Sequence, residues 1–144
     1  MDERWVNRSP EEMLETFHWF RGEAFELIVE DLLAAPEGEP VIVEGFRLLP
    51  RLVKPLLADR SQAAWLIPTP AFRRAAFESR SGLMDIAGKT SAPEVALTNL
   101  LARDGLFTER VEREAANEGL AVIHVSGAMT VEDLTVRVAR QFGL

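Results

Sequence analysis

Along the N-terminal part of the chain the apolar positions Met13, Phe17, Ala24, Ile28 and Leu32 recur at helical spacing. Ser9-Pro10-Glu11-Glu12 comes first, with a serine able to cap, a proline suited to the first turn and a glutamate completing a capping box. The pattern predicts one helix from about 10 to 35, roughly 39 Å long at 1.5 Å per residue. Pro36-Glu37-Gly38-Glu39-Pro40 ends it. Helical periodicity then gives way to short continuous apolar runs. Val41-Ile42-Val43, ending in Glu44-Gly45, reads as a first buried strand, Ala63-Ala64-Trp65-Leu66-Ile67 as a second and Leu120 to Val125 as a third. A helix is expected over Leu48 to Leu57, with Pro50 in its first turn and Pro55 bending or ending it. Thr69-Pro70 opens another that runs to about Arg80, and residues 81–90 read as loop. Ser91-Ala92-Pro93-Glu94 reads as a further capping box, opening a long helical segment to about Asn117 with Gly105 as its weak point. Thr130-Val131-Glu132-Asp133 starts the last helix, which ends near Phe142.

Apolar strands alternating with helices predict an α/β fold, a short parallel sheet covered on both faces by helices in three layers. No repeat or linker divides the chain, so residues 1–144 read as a single domain. Sheets of this kind bind ligands at the carboxyl ends of their strands.

Composition narrows the classes of function. With 47% hydrophobic and 27% charged residues the chain resembles ordinary globular proteins, and 144 residues suffice for one sizeable core. The net charge of −7 repels phosphate backbones, so general nucleic-acid binding is not expected, although a local cationic cluster can still hold a small phosphate ligand. There is no cysteine, which excludes disulfides and thiolate metal sites. The polar stretch Met1 to Pro10 lacks the apolar core of a signal peptide, and no run approaches the ~20 apolar residues of a membrane span. The expected location is the cytoplasm.

Candidate chemistry gathers at strand ends and in one loop. Glu44 stands where the first apolar run stops, placed to hold Mg²⁺ through water or to orient a hydroxyl nucleophile. Gly45 would let a substrate approach the backbone. The alternative is that Glu44 caps the next helix or pairs with Arg47. Arg73, Arg74 and Arg80 follow the second strand, Arg73 and Arg80 at a spacing that shares a helix face, and Lys89 and Arg103 lie beyond. Guanidinium groups pair bidentately with phosphate oxygens, so these cations, together with Arg47 just after Gly45, are candidates for a phosphorylated ligand. The plainer reading is a solvated face paired with Glu78, Asp85 and Asp104. Gly88-Lys89-Thr90 imitates the end of G-x-x-x-x-G-K-[ST], but that motif needs glycine at position 83, which is Leu83, and no strand leads into it. His18 and His124 have no second metal ligand at a usable local spacing. Phe17, Trp19, Phe20 and Phe25 read as core rather than as a stacking surface.

The segment Val41 to Pro50 resembles the strand end of P-loop small-molecule kinases, in which an apolar strand often closes on Glu-Gly or Asp-Gly, as in the uridine-kinase-like group. Ala64 to Pro70 resembles the next strand. Phe72-Arg73-Arg74-Ala75-Ala76-Phe77 with Arg80 resembles the arginine-bearing helix that enters a lid, spanning about 80–104 here. Asn99 to Asp104 resembles the helix returning from it, and Ile123 to Phe142 the last strand and helix. The resemblance covers Met13 onward as an ordered pattern. It implies phosphoryl transfer to a small molecule, with ATP or GTP as donor and Mg²⁺. It also places Glu44 in the catalytic crevice and Arg73, Arg74, Arg80 and Arg103 near phosphate. The family's first strand and phosphate-binding loop precede the long helix, and the chain starts too late to hold them. That strand would lie between the 41–45 and 63–67 strands. Without it the two close up, or an edge stays unpaired and invites homo-oligomers. The alternative to an incomplete kinase is a loop-free relative that binds a ligand or assembles without catalysis.

Overall fold

The computed structural model describes residues 1–36, 38, 40–79 and 86–144. It is a mixed helix–strand architecture built on one long helix and a small parallel sheet. In chain order the helices are α1 (Asp2–Trp5), α2 (Pro10–Thr16), α3 (Phe25–Ala34), α4 (Pro50–Val53), α5 (Pro70–Ser79), α6 (Pro93–Glu118) and α7 (Val131–Phe142). The strands are β1 (Ala64–Pro68), between α4 and α5, and β2 (Ala121–Val125), between α6 and α7. Single 3₁₀ turns occupy His18–Arg21, Lys54–Leu56 and Arg60–Gln62.

The second and third apolar runs form the sheet. β1 and β2 pair in parallel, with Ala64 opposite Ala121 and Pro68 opposite Val125. A parallel pair needs a crossover, and α5 and α6 lie within it. One face of the sheet meets α6: Trp65, Ile67 and Val122 pack with Phe107 and Val111, and Leu49 closes the same cluster at 1% exposure. Cover on both faces was expected, yet Leu66, on the opposite face, stays half exposed.

The first apolar run departs most from expectation. Residues 41–45 join no ladder, and Val41, Ile42 and Val43 are exposed, Ile42 to 94%. An apolar run becomes a strand only when a neighbour takes its backbone groups. Among the described residues β1 pairs with β2 alone, so its other edge is unpaired.

The expected 10–35 helix is broken into three pieces. Ser9 caps α2 by accepting the Glu12 N–H at 3.1 Å, but Phe17 turns extended at φ −91°, ψ 94°. The chain resumes as a 3₁₀ turn, then passes through Gly22 at φ 83° and Ala24 at φ 62° before α3 begins. Two left-handed residues so close together cannot continue a helix. The break turns Phe20 inward, where its ring stacks on Phe107 of α6 at 3.9 Å and 9°.

The 48–57 helix is shorter than expected, as α4 followed by a 3₁₀ turn containing Pro55. The expected capping box at Ser91 does not form. Ala92 stands at the N-cap of α6 without a side-chain bond, and the Ser91 N–H donates to Asp2 Oδ1 at 2.9 Å instead. α6 runs through Gly105 without interruption and ends at Gly119, left-handed at φ 64°. The box at Thr130 and Asp133 is complete.

A second core cluster sits at the N-terminal half of α6. Trp5, Met13 and Ala87 pack there against Ala96, Leu97 and Leu100. Asn99 Nδ2 fastens α1 to this helix by donating to the Trp5 and Val6 carbonyls at 3.2 and 3.3 Å. Among the described residues no helix is long and apolar enough to cross a membrane.

Candidate functional site

Arg73 sits on the first turn of α5, just past the carboxyl end of β1. Its Nη2 donates to Thr108 Oγ1 on α6 and reaches the Pro68 carbonyl at 3.5 Å. Burial pushes its guanidinium below the ordinary arginine value, while Asp104 and then Glu109 act against that shift. Arginine remains charged throughout the working range. Asp104 is also the partner of Arg103, whose Nε and Nη2 donate to Asp104 Oδ1 at 2.9 and 2.7 Å. Asp104 thus pairs directly with Arg103, and Arg73 feels it only as a nearby charge.

Arg103 is 7% exposed. Its guanidinium carbon lies 5.5, 5.2 and 5.1 Å from the ring centroids of Trp5, Phe17 and Phe20. A guanidinium tolerates this environment because ring faces carry negative quadrupole charge and Asp104 supplies a direct counter-charge. The residues read as core aromatics thus serve in part as the walls of a cation site.

A cavity of about 430 Å³ opens beside it, between α1, α2, the 18–21 turn and α6. Arg4, Arg8 and Arg103 line it, together with His18, Trp5, Phe17 and Trp19, and Glu23 is the carboxylate on its wall. Arg4 stacks over Trp5 at 4.6 Å. Arg47 stacks over Trp19 at 4.5 Å, and Phe46 lies 6.0 Å from the same ring, so the segment after Gly45 borders the cavity. This proximity comes from Leu48, whose carbonyl accepts the Trp65 indole N–H at 2.7 Å and holds the turn against β1.

The other expected site residues lie apart. Glu44 is exposed and makes no hydrogen bond or ion pair among the described residues. It neither caps α4, whose N-cap is Leu49, nor pairs with Arg47. Gly45 has φ 150°, with no atom within 4 Å of where a Cβ would stand, so its backbone is open to approach. Arg74 reaches only Glu78, at 4.0 Å and with both side chains exposed. Lys89 is exposed in the turn after Ile86, and Thr90 is buried with its hydroxyl donating to the Ala87 carbonyl at 2.6 Å. Arg80 falls outside the described residues. His18 is exposed, and His124 Nε2 lies 2.9 Å from Glu112 Oε1 at the surface.

Among the described residues there is no group of three His, Cys, Asp or Glu side chains able to hold a metal ion, and Glu44 stands alone. Sequence reasoning found Arg103 and Arg47 but missed Arg4 and Arg8. The available signal was a pair of arginines flanking Trp5 in a segment otherwise read only for the lack of an apolar leader. Comparison with protein-family models, curated proteins and solved structures returned no match.

Proposed function

We propose that the chain is a P-loop-kinase-like domain whose arginines handle a phosphate group. On this reading it transfers phosphoryl groups to a small molecule only when a phosphate-binding loop is supplied to it. The observation that supports this best is Arg73 at the carboxyl end of β1, where Thr108 and the Pro68 carbonyl hold its guanidinium. Strand ends of parallel sheets are where such ligands bind. ATP or GTP and Mg²⁺ come from the resemblance, and the loop would bring most of their contacts. Glu44, exposed beside an open glycine, is the residue assigned to orient the acceptor hydroxyl.

Turnover assays test this reading. This chain alone is expected to hydrolyse no ATP. A longer polypeptide, in which the coding frame upstream of Met1 adds a strand, a G-x-x-x-x-G-K-[ST] loop and a helix, is expected to turn over ATP. Glu44→Gln should lower that rate about 100-fold, the usual scale for a positioned acid–base group. An in-frame stop directly upstream of Met1 counts against the proposal, and so does a Glu44→Gln variant with full activity. The second reading, a non-catalytic ligand-binding or assembly module, is favoured by the exposed 41–43 run and the unpaired edge of β1.

A further inference from the structure

We propose that the cavity walled by Arg4, Arg8 and Arg103 is a binding site for a small organic dianion of the phosphomonoester class. Arg4 and Arg8 precede the part of the chain that resembles a kinase, so the site stands without strand-end chemistry and shares only Arg103 with it.

Each of the three guanidinium groups keeps donors that the described protein does not use. Arg103 spends Nε and Nη2 on Asp104, and no described acceptor engages Nη1. Arg8 Nε is shielded from solvent and makes no hydrogen bond. Its nearest carboxylate oxygen, Glu12 Oε1, stands 3.7 Å away, beyond hydrogen-bond range. Arg4 has no ion-pair partner among the described residues and lies over Trp5. Arg8 Nε, withdrawn from water without an acceptor, is costly to leave unmade, while Arg4 is exposed and free to turn toward a ligand. A phosphate group with three acceptor oxygens can serve these donors together.

Counter-charges are partly in place, since Asp104 pairs with Arg103, Glu12 lies 3.7 Å from Arg8 and Glu23 lines the wall. The preference therefore comes from the number of unused donors: a phosphomonoester brings three acceptor oxygens to them and a carboxylate two. Trp5, Phe17 and Trp19 surround the guanidinium groups with apolar surface, which lowers the local dielectric and offers contact to an organic substituent. The volume of about 430 Å³ suits a small molecule rather than a polymer.

The full chain is titrated with phenyl phosphate, inorganic phosphate and benzoate at fixed ionic strength, without Mg²⁺ or nucleotide, so the outcome is independent of kinase activity. Calorimetry gives affinity, and tryptophan fluorescence reports on Trp5 and Trp19. Phenyl phosphate is expected to saturate with a Kd below about 1 mM and to bind roughly tenfold more tightly than benzoate. The double variant Arg4→Gln/Arg8→Gln is expected to weaken binding about tenfold or more while its circular-dichroism melt is unchanged. The double variant Arg137→Gln/Arg140→Gln, on α7, is expected to bind as the parent does. No saturation overturns the site. So does binding that survives Arg4→Gln/Arg8→Gln, or an equal loss in the α7 variant, which would mean bulk charge. Inorganic phosphate binding as tightly as phenyl phosphate overturns the organic class.

Discussion

Asp133 shows how a single side chain ties stability to pH. Its carboxylate accepts the Thr130 N–H at 3.1 Å and the Thr130 hydroxyl at 3.0 Å. These bonds hold its carboxyl below the usual aspartate value. Asp59 is lowered by Ser61, and Asp2, which joins α1 to the start of α6, by Ser91. A carboxylate with a depressed folded pKa adds stability that is complete above its unfolded value and lost as pH falls through the folded one. Urea midpoints are therefore expected to hold above about pH 5 and to fall below about pH 4, the ordinary aspartate region. Asp133→Asn, which removes the titrating group itself, should lower the midpoint at neutral pH and flatten that acid limb. An acid limb as steep as the parent's would show that Asp133 takes no part in it.

At the scale of elements, α6 joins the two core clusters through Leu100 near one end and Val111 near the other. Gly105 lies between them, and a Cβ there would meet only Arg73 Nη1 at 3.5 Å, ordinary contact distance. Removing the entropic cost of a mid-helix glycine should then outweigh any clash. Gly105→Ala is expected to stabilise the chain by about 0.5–1 kcal/mol, read from denaturant unfolding. A destabilised variant would show that the Arg73 guanidinium cannot yield.

The sheet shows how far local pattern reaches. The runs at 63–67 and 120–125 became β1 and β2, and all three apolar runs looked alike in the sequence. Residues 41–45 differ in lacking a neighbour, and pairing is not a property of five residues. The helix break at Phe17 is equally non-local, because the burial of Arg103 on α6 draws Phe17 and Phe20 around it. Of the site, Arg47 and Arg73 were legible as cations near strand ends and Arg103 as a cation beyond the following loop. The contacts of Arg73 with Thr108, of Arg47 with Trp19 and of Arg103 with the Trp5, Phe17 and Phe20 rings depend on packing from distant parts of the chain. Arg4 and Arg8 gave no periodic or motif signal.

At the scale of the molecule, much apolar surface is uncovered. Ile42, Val41 and Val43 are exposed, and α3 buries no residue, with Leu33 exposed to 82%. A run of consecutive exposed apolar residues such as 41–43 marks association. The chain is expected to self-associate in light scattering at micromolar concentration. Ile42→Lys should reduce the mass toward that of one chain without lowering the melting temperature, because the side chain contacts little. A parent already monomeric would remove the assembly reading.

The parallel pairing of β1 with β2 also governs the time course of folding. The first ladder contact joins Ala64 to Ala121, so it closes a loop that contains all of α5 and α6. Closing so long a loop costs entropy before any ladder bond repays it, whereas the backbone bonds of α6 are local and form one helical turn at a time. The strands are thus expected to zip after the barrier has been crossed. Val122→Ala should speed unfolding several-fold and leave the refolding rate nearly unchanged, the signature of contacts absent from the transition state.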